Sequence, residues 1–205
     1  GSSSHIHLSL WDGDQNVFVG DQSFGPVQCS DQFRWFLGGW MAHVPEMMVF
    51  YAPTINSYKR YEDGSWAPTR LAWSYDNRTA GFRVVGKGKS LRIECRIPGA
   101  DCNPYLAYAA LLMAGLDGIE RELEPPPPVN KNIYSMSQRE RSRMRISQLP
   151  GNLSEAIQAL EKDDVVKAAL GDHTATHFIT AKKQEWSEYI AQVHDWELQR
   201  YLGTF

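Results

Sequence analysis

The sequence predicts an α+β fold: an antiparallel sheet packed against helices, followed by a helical C-terminal region. Three observations carry this. Residues 90–97, S-L-R-I-E-C-R-I, alternate strictly, with Leu91, Ile93, Cys95 and Ile97 on one side and Arg92, Glu94 and Arg96 on the other, which is the period of a strand. Strand patterns dominate the first hundred residues and helical spacing the second hundred, an order that reads as α+β rather than as repeating βαβ units. Hydrophobic residues make up 42% of the 205, with seven Trp, nine Tyr and eight Phe, enough for a real core.

Taken in order, His5–Leu10 alternates His5, His7 and Ser9 against Ile6, Leu8 and Leu10, a strand with an imidazole-bearing face. Asp12-Gly13-Asp14 is a turn, and Asn16–Val19 a short strand. Ser30 or Asp31 can cap a helix whose stripe is Phe33, Phe36, Leu37, Trp40 and Met41. Residues 53–70 read as a structured loop, and strands follow near 71–74, 80–85 and 90–97 around Gly86-Lys87-Gly88-Lys89. Asn103-Pro104 pairs a capping residue with proline at the first helical position. Leu106, Ala109, Ala110 and Met113 form that helix's expected inner face. Pro125–Pro128 is a stiff extended spacer. Ser154 is the expected cap of a short helix, and a long helix is expected from about His177, with Ile179, Trp186, Ile190, Val193 and Trp196 as its stripe.

Charge is unevenly spread. Nine Lys/Arg and four acids fall between Lys59 and Arg96, a local +5 in a chain of net −3, which leaves −8 for the rest. That argues against nucleic acid or an anionic membrane as partner and for a small anionic ligand. No secretory segment and no apolar run near 18 residues is visible, so a soluble protein is expected. Three cysteines without a C-x-x-C pair, one of them on the apolar side of a strand, suit free thiols in a reducing cytosol.

The candidate residues gather around the charged strand face. A carboxylate, Glu94, between Arg92 and Arg96, with Arg60, Arg70, Arg78 and Arg83 upstream, suits an anion site and a metal. The plainer reading is a salt-bridged outer sheet face, but the acids are too few to partner the bases. Arg78 and Arg83 differ by an odd number, so Arg78 must lie in the loop before the strand if both serve one site. His5-x-His7 fits either a divalent metal or two solvated side chains. Gly88-Lys89-Ser90 mimics the end of a phosphate-binding loop, but Arg83 stands where that motif needs glycine and a strand follows where it needs a helix.

Five segments in order, G-S-S-S-H-I-H-L-S-L-W (1–11), P-T-I-N-S-Y-K-R (53–60), D-N-R-T-A-G-F-R (76–83), L-R-I-E-C-R-I-P (91–98) and N-P-Y-L-A-Y-A-A-L-L-M-A-G-L-D-G-I (103–119), strongly resemble glutamine synthetase and its amine-ligating relatives. The resemblance implies ATP-dependent ligation of ammonia or an alkylamine or polyamine to the γ-carboxylate of glutamate through γ-glutamyl phosphate, with Mg²⁺ or Mn²⁺. Residue by residue it implies His5 and Glu94 as metal ligands. It gives Arg60, Arg83 and Arg96 the catalytic charges, and Gly1, Arg60, Trp66 and Arg96 the glutamate and amine contacts. His7, Ser9, Arg78, Arg83 and Arg92 would face ATP. It further implies a cytoplasmic enzyme forming a homo-oligomeric ring, a dodecamer at full length.

Two departures sharpen the expectation. Trp66 stands where ammonia-using members carry a glutamate before Ala-Pro; an indole cannot accept ammonium's proton but can cover an alkyl chain or a cationic amine. That favours γ-glutamyl-amine ligases acting on polyamines, ethanolamine or methylamine; the alternative is that Glu62 or Asp63 substitutes for the missing glutamate. Lys131-Asn132-Ile133-Tyr134 resembles a regulatory adenylylation segment, yet the following Ser-Met-Ser departs from it, so no modification of Tyr134 is expected. On this reading residues 1–124 are the second half of a catalytic domain, 125–205 its proline-rich connection and helical C-terminal region, and the N-terminal β-grasp domain is absent. The alternative is a non-catalytic relative serving in structure or assembly.

Overall fold

The computed structural model describes residues 2–204. Strand β1 (Ile6–Leu8) pairs with β8 (Arg92–Cys95), which pairs with β7 (Phe82–Val85), which pairs with β6 (Trp73–Ser74), giving one four-stranded sheet. The first two pairings are antiparallel, as expected, but β6 runs parallel to β7 at the edge. Hairpins β2–β3 (Trp11–Asp12, Gln15–Asn16) and β4–β5 (Gln22–Phe24, Val27–Cys29) flank it. Buried Asn16 ties the first hairpin down, its side-chain amide donating to the Leu91 carbonyl at 2.8 Å.

Register explains the charged face. Glu94 lies opposite His7 on β1 and opposite Arg83 on β7, so one row across three strands carries a histidine, a carboxylate and a guanidinium on the same side. The alternate residues Leu91, Ile93, Cys95 and Ile97 are fully buried against helix α1 (Asp31–Tyr51) and its neighbours. Ser30 caps α1, its hydroxyl accepting from the Phe33 amide at 3.2 Å. Trp40 meets Phe82 edge-on, ring centroids 5.2 Å apart.

Helix α2 (Pro104–Glu120) is capped by Asn103 with Pro104 first, as read from sequence, and its inner face is only partly the one expected: Ala110 is buried and Leu106 packs on the core. Ala107, Ala110, Leu111, Ala114, Gly115 and Gly118 are buried, whereas Met113 is exposed. The reason is close backbone approach: a Cβ on Gly39 would lie 2.3 Å from the Ala114 carbonyl oxygen and one on Gly118 would lie 2.2 Å from that of Trp35. Small residues let α1 and α2 pack nearly backbone to backbone, and the bulky side chains rotate outward.

Beyond the prolines the chain lies along the β6 edge. Val129 donates to the Trp73 carbonyl at 2.8 Å, and Asn77 donates to the carbonyls of Val129 and Lys131 at 2.8 and 2.6 Å. The 310 turn Ile133–Ser135 leads to α3 (Gln138–Arg143), α4 (Leu153–Leu160), α5 (Asp164–Ala168), α6 (Asp172–Ile190) and α7 (Asp195–Tyr201). The cap of α4 is Asn152 rather than Ser154, its side chain accepting from Glu155 N at 2.9 Å. The long helix begins at Asp172, five residues before His177, and stops at Ile190, so Trp196 sits on α7. Phe178, Ile179 and Trp186 pack on the core, while Ile190, Val193 and Trp196 are exposed. Among the described residues no helix is long and apolar enough to cross a membrane.

Candidate active site

Glu94 is the hub. Its side chain is 3% exposed, and a carboxylate so placed must be compensated. Arg96 donates to Oε1 at 3.0 Å, and the Arg83 Nε lies 2.7 Å from Oε2. His5 Nδ1 stands 3.3 Å and His7 Nε2 3.8 Å from Oε1. The contact to Arg83 is an ion pair whose angles miss the hydrogen-bonding direction, so Glu94 Oε2 and the Nε atoms of Arg83 and Arg96 are buried without a hydrogen-bond partner. Native interiors rarely leave such atoms unmatched, which singles this cluster out as a candidate site.

His5 titrates below the ordinary histidine range, chiefly because burial penalises its charge and secondly because Arg96 is near. A neutral imidazole beside a carboxylate with an unused lone pair is the donor set a divalent cation takes. His5 and Glu94 therefore fit a metal as two of its ligands. Among the described residues no group of three or more His, Cys, Asp and Glu forms a complete set.

Arg60 is fixed differently. It follows Tyr58 and Lys59 in a 310 helix, Ile55–Arg60, capped reciprocally by Thr54 and Ser57. Its guanidinium donates to the Ile97 carbonyl at 2.7 Å and the Arg96 carbonyl at 3.2 Å and stacks over Tyr61, 5.0 Å from the ring centroid. No carboxylate partners it among the described residues. A guanidinium oriented by carbonyls keeps its charge for an incoming anion.

His5, Arg60 and Arg96 line a cleft of about 660 Å³ whose wall also includes Glu62, Trp66 and Asp101. Two of its acids are not equivalent in freedom: Asp101 accepts from the Ser57 hydroxyl at 2.6 Å, whereas the Glu62 side chain has no partner among the described residues. The other acid of that loop, Asp63, accepts from Thr69 at 2.7 Å. Trp66 is 65% exposed and its φ is +63°, a left-handed conformation that L-residues with bulky side chains rarely adopt. A second cleft of about 370 Å³ opens beside Arg83, with Asp76, Lys87 and Tyr75 in its wall.

Of the residues predicted from sequence, His5, His7, Arg83, Glu94 and Arg96 converge on one point, and Arg60 and Trp66 line the same cleft as His5 and Arg96. Arg92 donates to His7 Nδ1 at 3.1 Å. Arg78 is exposed in the turn before β7, as its spacing required. Ser9 instead accepts from Trp11 at 2.8 Å, and Gly1 lies outside the described residues. Asp101 and Ser57 were missed; they carry no charge pattern, and only the fold brings positions 44 residues apart together.

The glutamine synthetase catalytic-domain family model matches residues 1–201. The chain belongs to the glutamine synthetase family. It is 47% identical to the glutamine synthetase of Thermus thermophilus over 206 residues and 45% identical to that of Thermotoga maritima over 203, covering 100% and 98% of this chain but 46% of each relative. Among solved structures, GmaS in complex with ADP superposes with a TM-score of 0.86 at 36% identity, over 98% of this chain and 46% of that one. Ligand-free GmaS gives 0.84 at 35% identity over 99% of this chain and 45% of that one. The chain thus spans about half the length of the glutamine synthetases it matches.

Proposed function

We propose that this chain forms part of an ATP-dependent ligase that joins an amine to the γ-carboxylate of glutamate. The observation that carries the reading is the buried Glu94 hub, with orphaned guanidinium and carboxylate atoms, beside an Arg60 that no carboxylate neutralises. In the reaction a glutamate γ-carboxylate oxygen attacks the γ-phosphorus of ATP and ADP leaves. The amine nitrogen then attacks the acyl carbon, loses a proton, and phosphate departs. Negative charge is redistributed in both steps, and fixed cations stabilise it without reorganising.

Arg60 and Arg96 hold glutamate and the transferring phosphoryl group. Arg83, Arg78 and Arg92 face the nucleotide, with His7 holding Arg92 in orientation and Ser9 nearby. His5 and Glu94 would hold Mg²⁺ or Mn²⁺, which when bound neutralises phosphate charge. Trp66 supports an acceptor larger than ammonia, since its indole offers a flat apolar and cation-attracting face. Glu62, the free acid of the same loop, supplies the carboxylate for the amine's charge. The complete protein acts as a homo-oligomeric ring in the cytoplasm, consistent with three free cysteines, of which Cys95 is held protonated by burial, its pKa pushed up to about 12.

The test is phosphate release by the full-length protein with glutamate, ATP and a panel of ammonium, methylamine, ethanolamine and putrescine. Faster turnover with an alkylamine than with ammonium is expected; the reverse order overturns the role given to Trp66. Failure of the full-length protein to bind ADP would favour a non-catalytic assembly role.

A further inference from the structure

Trp66 needs an explanation that its own loop only half provides. A left-handed non-glycine residue is strained and persists only where its surroundings over-determine it. Upstream the restraint is local: the Ser65 hydroxyl donates to the Glu62 carbonyl at 2.6 Å, and the Ala67 amide donates back to Ser65 Oγ at 3.3 Å. Downstream, Pro68 confines Ala67 to extended conformations but does not say where its carbonyl points. That is fixed from far along the chain. The Tyr134 hydroxyl donates to the Ala67 carbonyl at 2.9 Å, across 67 residues.

Tyr134 is itself held firmly. Ile133 is buried and its amide donates to Thr79 Oγ1 at 3.1 Å; Asn132 caps the turn by accepting from Tyr134 N at 3.0 Å. Asn130 accepts from Ser74 at 2.8 Å, and Asn77 grips Val129 and Lys131. The same short segment therefore touches the turn that carries Arg78 and the loop that carries Trp66. Burial raises the Tyr134 hydroxyl's pKa, with the Asp63 charge adding to the rise and Arg96 and Arg60 near enough to oppose it, so it stays a donor at neutral pH.

We propose that Tyr134 is a positioning residue for the acceptor side of the cleft: its hydroxyl holds the Ala67 carbonyl and so keeps Trp66 in its left-handed conformation over the entrance. The inference rests on the ligase reading above. It predicts that the Tyr134 hydroxyl matters to the amine and not to glutamate or ATP.

The experiment compares wild-type and Tyr134→Phe full-length protein, a change that removes one hydroxyl and keeps the ring. Amides of residues 61–67 are expected to exchange with deuterium about 5-fold faster, as loss of one hydrogen bond allows. The methylamine KM should rise by about the same factor, with the KM values for glutamate and ATP and the melting temperature holding steady. Unchanged loop exchange together with an unchanged methylamine KM overturns the proposal. So does a uniform loss, in which melting temperature falls and all three KM values rise together, because that is the signature of general stabilisation. Faster loop exchange in a protein whose wild type shows no glutamate-dependent ATP turnover would uphold the anchor and defeat the ligase reading.

Discussion

Two acids separated by one peptide bond behave oppositely in the loop that carries Trp66. Asp63 is spent on Thr69, at 2.7 Å, while Glu62 faces the cleft without a partner among the described residues. Glu62→Gln is therefore expected to raise the alkylamine KM about tenfold, the worth of one charge-assisted hydrogen bond, and to leave thermal stability unchanged. Asp63→Asn should do the reverse; an unaltered amine KM in the Glu62 variant would end its assignment. Glu94 differs again, because its charge answers Arg83 and Arg96 inside the protein. Replacing it by Gln leaves the Arg96 guanidinium without a counter-charge and Arg83 with only the exposed Asp76, 3.7 Å away, at a cost of about 3 kcal/mol, readable as a lower urea midpoint of the purified chain. A midpoint within experimental error of wild type would mean that the arginines are solvated and the hub is not a hub.

At the scale of elements, the helices are joined by a buried charge cluster that plays no part in the cleft. His43 on α1 is 7% exposed, with Nε2 2.9 Å from Asp117 on α2 and Nδ1 2.5 Å from Asp163, the cap of α5. With a carboxylate at each ring nitrogen, both nitrogens must carry protons. Hydrogen bonding to Asp163 raises the His43 pKa, burial opposes it, and the bond to Asp117 adds to the rise. For Asp163, burial pushes upward but the hydrogen bonds from His43 and the Val166 amide outweigh it, so the carboxyl titrates low. Half-buried Glu46 on α1 titrates high through desolvation. The signs set the window. A raised histidine contributes stability fully below its unfolded pKa of about 6.5, lost as pH climbs through the folded value; a depressed aspartate contributes above about 3.9, lost as pH falls. The clasp is strongest at mildly acid pH, and His43→Ala should remove about 3 kcal/mol there and progressively less in alkali. A stability deficit that is flat from pH 5 to pH 10 would refute it. None of this was legible in sequence, because His43, Asp117 and Asp163 are distant and follow no motif. Strict alternation did reveal strand β8 and its two faces, since a period of two survives any context. It could not reveal that α2 turns its smallest residues inward, because Gly39 and Gly118 select that face only once α1 lies against it.

For the whole molecule, the decisive matter is what the cleft lacks. His5 and Glu94 are two donors, and among the described residues no third His, Cys, Asp or Glu completes a metal cage. The curated relatives are about twice as long as the part this chain covers. Apolar surface tells the same story: Tyr105, Tyr108, Leu112 and Leu116 recur on one exposed face of α2, and Trp196 and Leu202 are exposed at 63% and 78% near the end of the chain. Exposed apolar area of that extent favours association. The 205-residue chain studied by itself is therefore expected to self-associate and to hydrolyse ATP no faster in the presence of glutamate than in its absence. Sedimentation and a phosphate-release assay check both halves. A monodisperse chain with glutamate-dependent turnover would mean that the cationic row around Glu94 suffices for phosphoryl transfer with two protein ligands on the metal. If instead ADP binds the chain weakly and turnover appears only in the full-length protein, the arginines position phosphate here while the remaining metal ligands come from sequence outside it. That division follows from the chemistry, because guanidinium groups can orient a phosphoryl group but would not supply the charge neutralisation of a divalent ion held by His5 and Glu94.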